Sequence, residues 1–179
     1  MKSKGLLIFY SFLSGLILAV ISTFLGRGHF IHFVFVFGAL MWIAGPLFIF
    51  SIIVLLIAKL ANLPVLRWIS TVCMGLVIII FVQLFSLPGG AILYRRDVQG
   101  AQGFCEAFIN SLEMSKEKKG RYPQDLSAVL NNTKLPRLLQ RSNFYHSDGK
   151  SYSFEFNDPA ALMTWYNFSS DDRKWKRWH

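Results

Sequence analysis

His29 and His32 are the residues best spaced for ligand chemistry, because a separation of three puts both rings on one helical surface, as metal or haem ligation requires. They open an apolar run that contains no carboxylate, and no second histidine pair converges on them. Hydrogen bonding at a membrane interface is therefore the favoured reading. Glu106, Glu113 and Glu117 are the residue type of a catalytic carboxylate pair, but their helical spacing sets them on a solvated face beside Lys116 and Arg121. No nucleophile, base and orienting group can be assembled around them. Cys73 and Cys105 fall in different halves, which argues against a disulfide, a zinc site or an iron–sulfur site. Cys105 lies on an apolar helix face and reads as a buried, inert thiol. No catalytic, metal or cofactor-binding residue is assigned, and no cofactor is expected.

Interaction chemistry is more evident. Ser11, Gly15, Ala19 and Thr23 recur every four residues and form a strip of small side chains where another helix can approach closely, from the same chain or from a partner subunit. Gln83, an amide inside an apolar run, reads as a helix-packing hydrogen bond. The terminal segment Arg173, Lys174, Trp175, Lys176, Arg177 and Trp178 interleaves cations with indoles. The favoured reading is a last strand with a cationic face, which is compatible with contact with anionic lipid headgroups or with a protein partner.

These residues are positioned by two dissimilar halves. Residues 1–94 hold no Asp or Glu and only five basic residues, whereas the remainder carries the other 14 of the 19 basic residues and all 10 acidic ones. Apolar runs at 6–25, 30–58 and 68–87 each suffice to cross a hydrocarbon core of about 30 Å at about 1.5 Å per residue. The second is longer than needed and contains Gly45-Pro46, so it is expected to tilt, kink or, less readily, re-enter. Pro88-Gly89-Gly90 reads as a hinge. The first run lacks a cleavage pattern and is read as a retained anchor. Lys2, Lys4, Lys59 and Arg67 mark one side of the membrane against Arg27 on the other. That bias places the N-terminus in the cytoplasm and the C-terminal part outside, with Arg95 and Arg96 weakly opposed. The expected organisation is a transmembrane region over 1–90 and an extracytoplasmic α+β domain over 91–179.

Within the second half, Phe104, Cys105, Phe108, Ile109 and Leu112 define the apolar face of one amphipathic helix from about residue 97 to 119, stopped by Gly120. A short helix is expected over 124–130. Ser147-Asp148-Gly149-Lys150 reads as a hairpin turn between 143–146 and 151–156, and Ser169-Ser170-Asp171-Asp172 as another between 163–168 and 173–178.

A span leading into an amphipathic helix, closed by Lys119-Gly120-Arg121-Tyr122-Pro123 and followed by a compact antiparallel sheet, resembles the globular part of type II secretion pseudopilins and type IV pilins. The resemblance covers roughly residues 70–179 and implies a pilin-like domain in which one helix packs on the sheet. The family's peptidase site has Glu as the fifth residue after a glycine, and here Tyr10 occupies that place after Gly5. The implication is therefore one of domain shape and not of polymerisation.

The functional expectation is a non-enzymatic accessory or structural subunit of the bacterial inner membrane, whose external domain contacts another envelope protein or a second copy of the chain. The alternative is a subunit of a membrane-bound enzyme or transport complex with a shared site. Membrane lipid is an expected partner. Nucleic acid is not, because the mild basic excess is not gathered into a stripe.

Overall fold

A run of Leu, Ile, Val, Phe and Ala surrounded by lipid must satisfy every peptide group within its own segment, which makes it helical. The computed structural model describes residues 2–126, 134–140 and 143–179. The chain divides into two compact units, Met1–Leu93 and Tyr94–His179.

In the first unit, α1 covers Lys2–Gly26, α2 Phe30–Ala39, α3 Gly45–Leu60 and α4 Pro64–Val82, and α5 begins at Ser86 and ends at Glu106. Three helical runs, Lys4–Gly26, Phe30–Leu60 and the one starting at Pro64, are long and apolar enough to cross a membrane. The second is continuous, so it is not a re-entrant hairpin. Its irregularity is a π turn over Leu40–Ala44 immediately before Pro46. Proline brings no N–H and its ring crowds the carbonyl one turn back, and a widened turn relieves both. The α1–α2 turn uses positive φ at Arg27 and Gly28. At the end of α3, Asn62 takes the left-handed conformation while Leu63 N–H donates to Ala58 O at 3.1 Å, which closes the helix in the manner of a Schellman cap.

Pro88-Gly89-Gly90 is helical, which corrects the expectation of a hinge there. Pro88 stands in the first turn of α5, where a missing N–H costs little. The glycines serve close approach: a Cβ on Gly89 would lie 2.8 Å from Thr23 Cγ2, and one on Gly90 would lie 2.9 Å from the Gly28 nitrogen. The helix is interrupted earlier, by a 3₁₀ turn over Gln83–Phe85.

In the second unit, the expected single amphipathic helix is two. The helix α5 ends at Glu106, and α6 covers Ile109–Lys119. The break at Ala107 and Phe108 re-aims the apolar face, so that Val98, Ala101, Cys105 and Leu112 are buried while Phe104, Phe108 and Ile109 pack at the margin. Gly120 ends α6 with φ of 73°. Gln124 to Leu126 are not helical, and the rest of the helix expected over 124–130 lies outside the described residues.

Strands β1 (Tyr145–Ser147), β2 (Tyr152–Asn157), β3 (Trp165–Ser169) and β4 (Trp175–Trp178) form an antiparallel meander in chain order. Both expected hairpins are present. Alternation in β2 sends Tyr152, Phe154 and Phe156 into the core, where they meet Tyr122, Tyr145, Phe168 and the α5 and α6 residues. The meander has two distinct ends. The β2–β3 loop and the end of β4 share one, and the two hairpin turns share the other. At the loop end, the Tyr94 and Tyr166 hydroxyls lie 2.8 Å apart. At the turn end, Trp175 Nε1 donates to Glu106 Oε1 at 2.8 Å and Arg173 reaches Glu113 at 3.4 Å. The helices therefore run along the sheet from its loop end to its turn end.

Candidate functional site

The membrane-type helices hold a connected set of polar side chains. Thr23 Oγ1 donates to Ala19 O at 2.8 Å, and Ser22 Oγ donates to Gln83 Oε1 at 3.1 Å. The Gln83 amide donates to Gly15 O at 3.2 Å and to Ile79 O at 3.4 Å. Ser86 Oγ donates to Gln83 O at 2.6 Å and lies 3.1 Å from His32 Nε2. The serine has one proton, and it goes to the carbonyl, so the imidazole donates from Nε2. His32 also packs tightly on α1, since a Cβ added to Gly26 would overlap the ring. Two grooves, of about 500 and 300 Å³, open on this cluster and share Ser22, His32 and Phe35. His29 lines the larger. No group of three His, Cys, Asp or Glu residues that could hold a metal occurs among the described residues.

The strip of small residues on α1 meets the chain's own helices. A Cβ on Gly75 would stand 2.6 Å from Ser11 Oγ, and one on Gly15 would stand 3.0 Å from Val82 Cβ. Ala19 is buried, and Thr23 borders Ser86 and Gly89. A second crossing joins α3 to α4, where Ser51 and Ser70, both buried, each donate to the other's carbonyl at 2.9 Å. Because the two bonds form one reciprocal pair, Ser51→Ala and Ser70→Ala should be non-additive. A double-mutant cycle read by denaturant unfolding in micelles is expected to give a coupling of about 0.5–1.7 kcal/mol.

The second unit uses its charges differently from the sequence expectation. Glu113 accepts from the Tyr122 hydroxyl at 3.0 Å and pairs with Arg173, and Glu106 accepts from Trp175, so their partners come from the chain terminus and the loop after α6 as well as from neighbouring turns. Lys116 remains close by, with its Nζ 4.4 Å from the centre of the Tyr122 ring. In the terminal segment, Trp175 packs on Phe156 and Phe168, and Lys176 pairs with Asp172 at 2.7 Å. Arg177 Nε donates to Asp158 Oδ2 at 2.7 Å. Arg173 and Lys174 are exposed, and Trp178 is half exposed. Cys105 is fully buried, and its thiol is pushed up to about 12 by burial and by the neighbouring Glu106 charge. Asp158 escaped the sequence reading. It is buried, accepts from the Ala160 N–H at 2.8 Å, and anchors the β2–β3 loop. The only advance signal was an Asp-Pro pair between two strand patterns.

At the turn end of the sheet lies a polar cleft of about 470 Å³ whose lining includes Gln124, Asn143, His146, Asp148 and Ser153. Asp148 Oδ1 accepts from the N–H groups of Ser151 and Lys150, at 2.7 and 2.8 Å, and these bonds hold its carboxyl below the usual carboxylate range. A group with a depressed folded pKa stabilises the turn above its unfolded pKa, and that contribution is lost as pH falls through the folded value. Amide exchange at Lys150 and Ser151 should therefore lose protection as pH falls below about 4, after correction for the intrinsic rate, and Asp148→Asn should flatten that dependence. In comparisons with protein-family models, curated proteins and solved structures, nothing matches this chain.

Proposed function

We propose that the chain is a non-enzymatic accessory or structural subunit of a bacterial inner membrane, with a cytoplasmic N-terminus and a periplasmic, pilin-like C-terminal domain that docks another envelope protein. The observation that carries this reading is where the polar groups are spent. Ser22 with Gln83, His32 with Ser86, and Ser51 with Ser70 tie helix to helix. Glu106, Glu113, Asp97 and Asp158 tie helix, loop and sheet together through Trp175, Tyr122, Arg137 and Arg177. Side chains committed in this way build a scaffold. The polar cleft at the turn end is then the surface left for recognition, open and rich in donors and acceptors. The pilin-like reading is supported by the Gly120 cap, the packed Tyr122 ring and a helix-on-sheet core. The orientation is supported by the loop charge bias.

A photoreactive residue at Ser153 or His146 tests the docking reading in intact cells. A discrete adduct with one envelope protein, identified by mass spectrometry, is expected. Absence of any adduct from either position counts against it. A C-terminal reporter enzyme active only outside the cytosol tests the orientation.

The second reading, a subunit of a membrane-bound enzyme or transport complex, is favoured by His32 standing in the wall of two grooves. Replacing His29 and His32 together by Ala separates the two. Unchanged metal content, absorption spectrum and activity of the purified complex would eliminate the histidine site.

A further inference from the structure

Among the described residues of the second unit, the β2–β3 loop carries the most exposed apolar side chains: Leu162 is 68% and Met163 89% exposed, with Trp178 at 50%. Such a tip is usually mobile, but this one is built. The Asp158 N–H donates to Thr164 O at 2.8 Å, Asp158 Oδ1 takes the Ala160 N–H, and Thr164 Oγ1 donates to Leu162 O at 3.2 Å. Arg177 locks the Asp158 carboxylate from β4. Within this frame Met163 is held at φ of 53°, a conformation that a bulky residue rarely adopts. The fold thus spends buried polar contacts and backbone strain on presenting two apolar side chains to the outside.

Their position gives the reason. The tip lies at the loop end of the sheet, and that is where Tyr94, the first residue of this unit, bonds to Tyr166. Tyr94 follows Leu87, the last residue of the expected third span, with only six residues between them in the chain. Trp165 and Trp178 are cross-strand partners at the same end, and Arg95 and Arg96 are exposed beside Tyr94. Indoles and cations flanking an apolar tip suit the headgroup layer of a bilayer, where amphipathic rings settle and cations meet lipid phosphates.

We infer that Leu162 and Met163 insert into the interfacial layer of the chain's own membrane, so that the loop is a second, non-covalent lipid anchor for the soluble unit. The occupant of this surface is lipid. Apolar side chains exposed beside a bilayer enter it without the orienting cost that a diffusing partner must meet.

The test uses the full chain in phosphatidylethanolamine/phosphatidylglycerol vesicles, with Cys73 replaced by Ala and Cys105 left in the core. An environment-sensitive dye is attached at Met163→Cys, and in a separate protein at Lys150→Cys on the opposite end of the sheet. Leu162→Cys gives a second site on the loop should the first disturb folding. Quenching by a nitroxide on the lipid is expected to be at least about threefold stronger at the loop than at position 150, with the reverse order for an aqueous quencher. Equal quenching at the two ends overturns the inference. Shielding of the loop dye in native membranes but not in pure lipid vesicles also overturns it, in favour of a protein partner.

Discussion

Tyr122→Ala is expected to lower the stability of the C-terminal unit by about 3–5 kcal/mol, the usual cost of removing a buried ring. Tyr122 is buried, stands edge-on to Tyr152 with ring centres 4.8 Å apart, and donates its hydroxyl to Glu113. Its backbone N–H bonds to Gly149 O at 2.9 Å, so the ring sits where the segment after α6 joins the first hairpin. Leaving a void there detaches the helix end from the sheet, and the melting temperature of the unit, followed by near-ultraviolet dichroism of the detergent-solubilised chain, should fall by more than about 10 °C. Tyr122→Phe keeps the ring and loses only the hydroxyl's bonds with Glu113 and Lys116, at about 1.5–3 kcal/mol. If the Ala and Phe variants melt together, the ring is not the element that joins helix to sheet.

Gly26→Ala should be the most disruptive single methyl in the membrane-type half. The added carbon would overlap the His32 ring and approach its Cβ to 2.8 Å, and the Cβ cannot swing aside without moving α2. Overpacking of this kind costs about 1–3 kcal/mol or more and here would also pull the imidazole from Ser86. Gly38→Ala is the control, because nothing lies within 4 Å of a Cβ at that position. Titration of the micelle-bound chain with a denaturing detergent is expected to place the Gly26→Ala midpoint well below wild type and the Gly38→Ala midpoint unchanged. Equal midpoints for the two variants would mean that α1 and α2 do not meet at this glycine.

The sequence by itself determined the elements whose cause is local. Long apolar stretches without carboxylates have one low-energy backbone in lipid, so three helices long and apolar enough to span it were legible from composition, and the π turn sits beside the proline that demands it. Strict alternation over Tyr152, Phe154 and Phe156, bounded by Asp148-Gly149, specified a strand, its buried face and its turn. Gly120 after three lysines specified a helix end.

What only the tertiary structure decided depends on residues far apart in the chain. Pro88-Gly89-Gly90 has the composition of a hinge, and it is helix because Thr23 and Gly28 press against it. The interruption falls instead at Gln83, where Gly15 and Ser22 supply hydrogen-bond partners from the first helix. Glu113 was assigned to its own helix face, but the Tyr122 hydroxyl and Arg173 meet it. Asp158 belongs to no local pattern, and it can be buried because β4 brings Arg177 beside it. Local periodicity reports which face of an element is apolar, because that pattern repeats within a few residues. It carries no information on which polar groups will be brought together, since those pairs form only when the chain folds back on itself, over 9 residues for Glu113 and Tyr122, 19 for Asp158 and Arg177 and 68 for Gly15 and Gln83.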